Sequence, residues 1–205
     1  MCPSCLPVSL RINYRPRRQT CNILAKGTDG TDYGYISPVW NGFGEYGTFQ
    51  SAQAGALELS FSHSPNTPSQ IGFTATNSPS VAFPFFGAIV GFASASNDFG
   101  AGSYNYAYLG GTTQTAVGST PSPGGNSFSA ATGIPESFES AVWTYNPATQ
   151  AITAQWINTD GSAPATHIVY ANDSNQVLTL TGDVSAFQGT FGVPHPEVVS
   201  ASSDG

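Results

Sequence analysis

From residue 27 to residue 205 the chain contains no lysine, no arginine, no cysteine and no methionine. Each absence excludes something. Nucleic acid binding needs clustered basic side chains to displace phosphate counterions, so this stretch is excluded as a nucleic acid partner. Attraction to anionic membrane surfaces fails for the same reason. Without cysteine there is no disulfide and no Cys-His nucleophilic pair, and without either sulfur residue nothing oxidises easily. Charge of either sign is scarce: 8% of residues are charged, against about 25% in an average soluble domain. No apolar run approaches the roughly 20 residues of a membrane span. The longest, residues 81–93, is interrupted by Pro84, Gly87 and Gly91. There is no G-x-S-x-G elbow and no phosphate-cradling glycine loop.

What charge there is has one sign. All twelve acidic residues lie between Asp29 and Asp204, and all five basic residues lie before position 27. Carboxylates without counterions repel one another, which raises their folded-state pKa values. Stability is therefore expected to rise as the pH falls from neutral toward the carboxyl range. Neutral polysaccharides, cations and basic proteins remain as partners. The polarity comes from Ser, Thr, Asn and Gln, a mix common in secreted β proteins, so the expected location is extracellular. A chain of 205 residues fits one large domain that buries about 70% of its unfolded surface, enough for a core without disulfides or structural metal.

The first 26 residues are a different object, with every basic residue, all three cysteines and no acid. Residues 5–10 are too short for the apolar core of a signal peptide. Cys2, Cys5 and Cys21 resemble part of a zinc ribbon, but Leu24 stands where a fourth cysteine is needed. Residues 1–26 are therefore expected to be an unstructured or processed leader, with a single domain over 27–205. No cofactor is implied.

In the body, apolar residues alternate with period two and helical periodicity is nearly absent. Leu57, Leu59 and Phe61 share one face of a strand, and residues 70–74, 85–92 and 104–109 follow as further strands. A Gly/Ser/Thr/Pro-rich stretch over 110–127 is long for a loop, hence mobile or functional. Residues 140–145 and 151–157 form a hairpin around Asn146-Pro147, and strands at 166–170 and 177–180 continue an antiparallel meander. One short helix is expected, capped by Asp183, with Phe187 and Phe191 four apart and Gly192 at its end. The whole predicts an all-β fold: an antiparallel sandwich or jelly roll of roughly ten strands.

Three constellations could carry chemistry. Glycoside hydrolysis needs two carboxyl groups about 5–9 Å apart, and Glu58, Glu136 and Glu139 lie on or beside strands. Glu139 followed by Trp143 resembles one motif of small jelly-roll cellulases, which would make Glu139 catalytic with Glu58 or Glu136. Sugar binding needs aromatic faces with amide and carboxylate edges. Tyr104, Tyr106 and Tyr108 alternate along one strand, while Trp40, Asn41 and Tyr46 belong to an aromatic cluster broken by glycines. Asp160 and Asp173, in oxygen-rich turns, are calcium candidates without EF-hand spacing. The histidines at 63, 167 and 195 are too scattered to suggest zinc.

The run ESAVWTYNPATQAITAQW, with NTDGS, LTGD and FGV after it, resembles small secreted proteins of filamentous fungi. That resemblance implies secretion and names no activity. The hairpins and turns are also similar to lectin-like sandwiches of the concanavalin type, although that family's metal-binding acids have no counterparts here. The sequence thus favours a non-catalytic extracellular protein that binds neutral glycan or belongs to a cell surface or matrix. A small glycoside hydrolase and a self-assembling structural protein are the alternatives.

Overall fold

The computed structural model describes residues 17–64 and 68–204. Its fourteen strands are all paired antiparallel, so the expected all-β antiparallel class holds. Eight of them close on themselves. In spatial order these are β1 (Arg17–Gly27), β4 (Leu59–His63), β6 (Phe73–Ala75), β7 (Phe85–Val90), β8 (Tyr106–Thr112), β13 (Val177–Thr181), β12 (His167–Ala171) and β14 (Glu197–Asp204). Pairing of Cys21–Gly27 with residues 198–204 shuts the ring. A barrel thus stands where two facing sheets were expected.

The remaining strands extend this ring. β2 (Asp32–Ile36) pairs with β1 and β3 (Phe49–Gln50) with β2, while β9 (Phe138–Glu139) pairs with β7. β11 (Ala151–Ala154), β10 (Trp143–Tyr145) and β5 (Ser69–Ile71) run outward from β14. The hairpin around Asn146 forms as expected, with Tyr145 opposite Ile152 and the Asn146 side chain accepting from the Ala148 amide at 3.0 Å. The meander does not continue from it, because β14 lies between β11 and β12. Closing the barrel gives that middle position to a strand distant in sequence.

Alternation decides which side chains fill the barrel. Leu59, Phe61, Phe73, Phe86, Leu109, Leu178 and Leu180 point inward, joined by Cys21, Ile23 and Ala25 of β1. Phe86 stacks on Trp143 at 4.9 Å, and the Trp143 indole N–H donates to the Phe86 carbonyl at 2.6 Å. A cavity in the interior, between Ile23, Leu109, Trp143 and Leu178, measures about 10 Å³, about the least that holds one water. This barrel is packed shut, so any ligand must lie outside it.

β8 is buried along its whole length, which explains its sequence. Ala107 and Leu109 face the barrel interior, while Tyr106 and Tyr108 face a second apolar layer with Ile89, Val169 and Val177. Two helices cover that outer layer. Helix α1 (Ser127–Thr132) is capped by the Asn126 side chain and ends at Gly133 with φ 77°. Helix α2 (Val184–Phe191) is capped by Asp183 and ends at Gly192, as the sequence predicts. The first helix has too few residues to show a helical period, so the sequence gives no sign of it.

The leader boundary expected at residue 26 does not coincide with an edge of the fold, since β1 begins at Arg17. Cys21 is buried in the core. Cys2 and Cys5 lie outside the described residues. Among the described residues no helix is long and apolar enough to cross a membrane.

Candidate functional site

A groove opens on the outer face of the barrel between α1 and α2. Its floor is the tyrosine stripe of β8. The Tyr106 and Tyr108 hydroxyls share a hydrogen bond at 2.9 Å, their rings nearly perpendicular. Tyr108 stacks on Phe128 of α1 at 5.1 Å, and Tyr106 meets Phe187 and Phe191 of α2 at 5.5 and 5.1 Å. Each tyrosine thus braces one helix, and the linked hydroxyls lie between them.

Two lobes share Phe92, Tyr108, Asn175 and Val177. The larger, about 490 Å³, lies on the α1 side with Phe43, Glu45, Phe128 and Ile134 in its walls. The smaller, about 230 Å³, lies on the α2 side with Tyr106, Phe187, Phe191 and His195. Phe92 is 61% exposed and lies nearly parallel to Phe128 at 6.4 Å. His195 is buried, its Nε2 is 3.3 Å from the Phe191 carbonyl, and its Nδ1 has no hydrogen-bond partner among the described residues.

Glu45 is the buried acid of the larger lobe, 3% exposed. It arrives there because the loop between β2 and β3 turns on Asn41. The Asn41 Oδ1 accepts from the Phe43 and Glu45 amides at 2.9 and 3.1 Å. Its Nδ2 donates to the Glu45 carboxylate at 2.8 Å and to the Asn175 carbonyl at 3.0 Å. Gly44 permits the turn: its φ is 81°, and a Cβ there would stand 2.5 Å from the Ser127 carbonyl oxygen. Tyr46, directly after Glu45, wedges between strands, its amide donating to the Leu109 carbonyl and its carbonyl accepting from the Leu178 amide.

Burial pushes the Glu45 carboxyl up to about 7; the Asn41 amide pulls it down and the negative Asp173 adds to the rise. Both tyrosines are raised as well, chiefly by burial, with Glu45 and Glu136 each contributing negative potential. A carboxyl poised near neutrality inside an aromatic groove is the kind of perturbed group that marks functional sites.

The residues singled out from sequence scatter around this groove. Tyr106 and Tyr108 form its floor, and Asn41 holds its carboxylate. Tyr104 packs against Phe191 at 6.0 Å, beside the groove. Tyr46 points the other way, fully buried in the core against Phe86, with Trp40 edge-on to it. Glu139 is buried opposite Ala88, accepts from the Ile157 amide at 3.2 Å, and lines neither lobe. Burial raises it to about 8, opposed only by that amide, with no other carboxylate contributing. Glu58 is exposed and accepts from the Thr76 hydroxyl. Glu136 is partly buried at the α1 side, where the Ser129 hydroxyl accepts from its amide. These three carboxyls occupy different surroundings.

Asp160 and Asp173 act as turn formers, accepting from the Ser162 and Asn175 amides at 2.8 Å each. Among the described residues no group of three or more His, Cys, Asp or Glu gathers around a point. Sequence reasoning missed Glu45, Phe92 and Phe128. Glu45 alone left a trace, as the single acid in the segment Asn41-Gly42-Phe43-Gly44-Glu45.

No protein-family model, curated protein or solved structure matches the chain.

Proposed function

We propose that this is a secreted, non-catalytic binding protein that holds a neutral glycan in the groove between α1 and α2. The observation that carries this reading is the groove itself. An aromatic wall of Phe92, Phe128 and Tyr108 suits the apolar face of a sugar ring, and Glu45, Asn175 and His195 border it with hydrogen-bonding groups. The larger lobe, about 490 Å³, falls within the range of small-ligand sites, and its aromatic lining sets it apart from the polar cleft of about 440 Å³ beside Asn22, Gln53, Glu58 and Asn77. Secretion is supported by the low charge and the cation-free body.

Calorimetric titration of the full chain with a panel of neutral oligosaccharides tests the proposal. One sugar class should bind saturably. Phe92→Ala should weaken that binding about tenfold or more, through loss of stacking worth on the order of 1–2 kcal/mol, while the melting temperature stays within about 2 °C because an exposed ring supports little packing. No binding by any neutral sugar at millimolar concentration would overturn the reading. Hydrolysis of a bound sugar would replace it with the hydrolase alternative. Ligand-independent assembly, seen as a rising sedimentation coefficient with concentration, would favour a self-assembling role for the same exposed rings.

A further inference from the structure

We infer that the sugar unit entering the larger lobe carries a free, protonated amine, which Glu45 receives: the ligand class is an amino-sugar glycan. This rests on the reading of the groove as a glycan site and departs from it in one respect: among the glycans it accepts, the groove prefers one with a charged amine over its neutral counterparts.

Three observations lead there. The first is that a carboxyl 3% exposed lines a cavity of about 490 Å³, with no cationic side chain among the described residues to meet it. From residue 27 onward the chain has neither lysine nor arginine, so the protein does not supply the missing charge from this part of its sequence. A buried acid is ordinarily paired or neutral. Here its one amide partner, Asn41, is itself tied to Asn175 and fixes the carboxylate at the cavity wall.

The second is the surrounding charge. Asp173 lies close enough to act on Glu45, and Glu136 and Glu45 both act on the tyrosine pair. Across the groove His195 faces the smaller lobe. The larger lobe is therefore a site of negative potential, where a cation gains and an anion is repelled. The third is the wall itself. Phe43, Phe92, Phe128 and Tyr108 are aromatic rings whose faces attract cations as well as sugar C–H groups.

Three β-1,4-linked tetrasaccharides that differ only at C2 make the test: glucosamine tetramer, N-acetylglucosamine tetramer and cellotetraose, titrated into the full chain at pH 6 and pH 7. The glucosamine tetramer should bind about tenfold tighter than either neutral sugar at pH 7. At pH 6 Glu45 is mostly protonated while a sugar amine is already charged. Binding there should release close to one proton, read from calorimetry in buffers of different ionisation enthalpy. Glu45→Gln keeps an acceptor for Asn41 but has no charge; it should bring the three sugars within about threefold of one another and abolish the proton release. Asp173→Asn, at an exposed turn, should lower the preference about twofold without touching the fold.

Equal affinity for all three sugars, or a preference that survives Glu45→Gln, would overturn the inference while leaving the groove as a glycan site. Binding by none of them would remove both.

Discussion

The melting temperature is expected to fall by roughly 10 °C between pH 5 and pH 8, and Glu139→Gln to remove most of that fall. Two carboxyls carry the effect. Glu139 is held at about 8 and Glu45 at about 7, both chiefly by burial, whereas in the unfolded chain each titrates near the ordinary glutamate value of 4.5. Above 4.5 the folded protein keeps protons that the unfolded chain has lost. Stability is therefore full below about 4.5 and declines as the pH rises through 7 and 8.

Each unit of raised pKa corresponds to about 1.4 kcal/mol, so the two groups together are worth several kcal/mol over this range. A chain of this length shifts its melting temperature by about 2–4 °C per kcal/mol. Glu136, also raised by burial, acts in the same direction. Asp29, Asp160 and Asp183 are lowered by hydrogen bonds from nearby residues, Thr31, Ser162 and Ala186 first among them. Their contribution is lost only as the pH falls below their unfolded value, 3.8, so it does not oppose the trend above pH 5. Glu139→Gln retains an oxygen for the Ile157 amide and removes the ionisation, so the variant should melt above the parent at pH 8 and level with it at pH 5. A parent protein that melts higher at pH 8 than at pH 5 would contradict this account.

Removing residues 1–26 is expected to abolish cooperative folding. β1 carries three pairings at once. Its Cys21–Gly27 portion closes the barrel on β14, Leu24–Lys26 also pair with β2, and Arg17–Cys21 pair with β4. Loss of this strand opens the barrel at two edges, which then present unpaired amides and carbonyls. It also takes Cys21, Ile23 and Ala25 out of the core, and the cavity adds several kcal/mol to the loss. Losses of this kind are comparable to the roughly 5–15 kcal/mol that holds an ordinary domain together. Residues 27–205 should therefore show neither a sharp near-UV circular dichroism spectrum nor a cooperative melt. A cooperative transition within about 5 °C of the full chain would show that the barrel closes without β1.

The parts of the fold that depend on nearby residues were legible in the sequence. Asn146-Pro147 marked the hairpin, Asp183 and Gly192 bounded α2, and alternation at Leu59 and Phe61 identified an inward face. Barrel closure was not legible, because it joins Cys21 to Asp204 across nearly the whole chain, and β1 carries the basic composition that suggested a separate leader. The direction of the pH dependence followed from charge alone, but its cause did not. Repulsion between acids was the expected source, whereas burial dominates at both Glu45 and Glu139.

The candidate site was half visible. The alternation of Tyr104, Tyr106 and Tyr108 suggested an open platform, and Tyr106 and Tyr108 are instead a floor roofed on two sides. A stripe of tyrosines reads alike in either setting, since period two says which residues share a face and not what covers it. Trp40 and Tyr46 lie on the loop that carries Glu45 but turn toward the core. Glu45, one residue before Tyr46, has the opposite orientation and lines the groove.

The central claim is that the groove between α1 and α2 takes a sugar, and ligand-induced chemical-shift mapping on the full chain tests it most directly. Titration with cellotetraose and with glucosamine tetramer should move the resonances of Phe43, Phe92, Tyr108, Phe128 and Val177, and leave the β10–β11 hairpin unmoved. Shifts confined to that hairpin, or no shifts at millimolar sugar, would contradict the account.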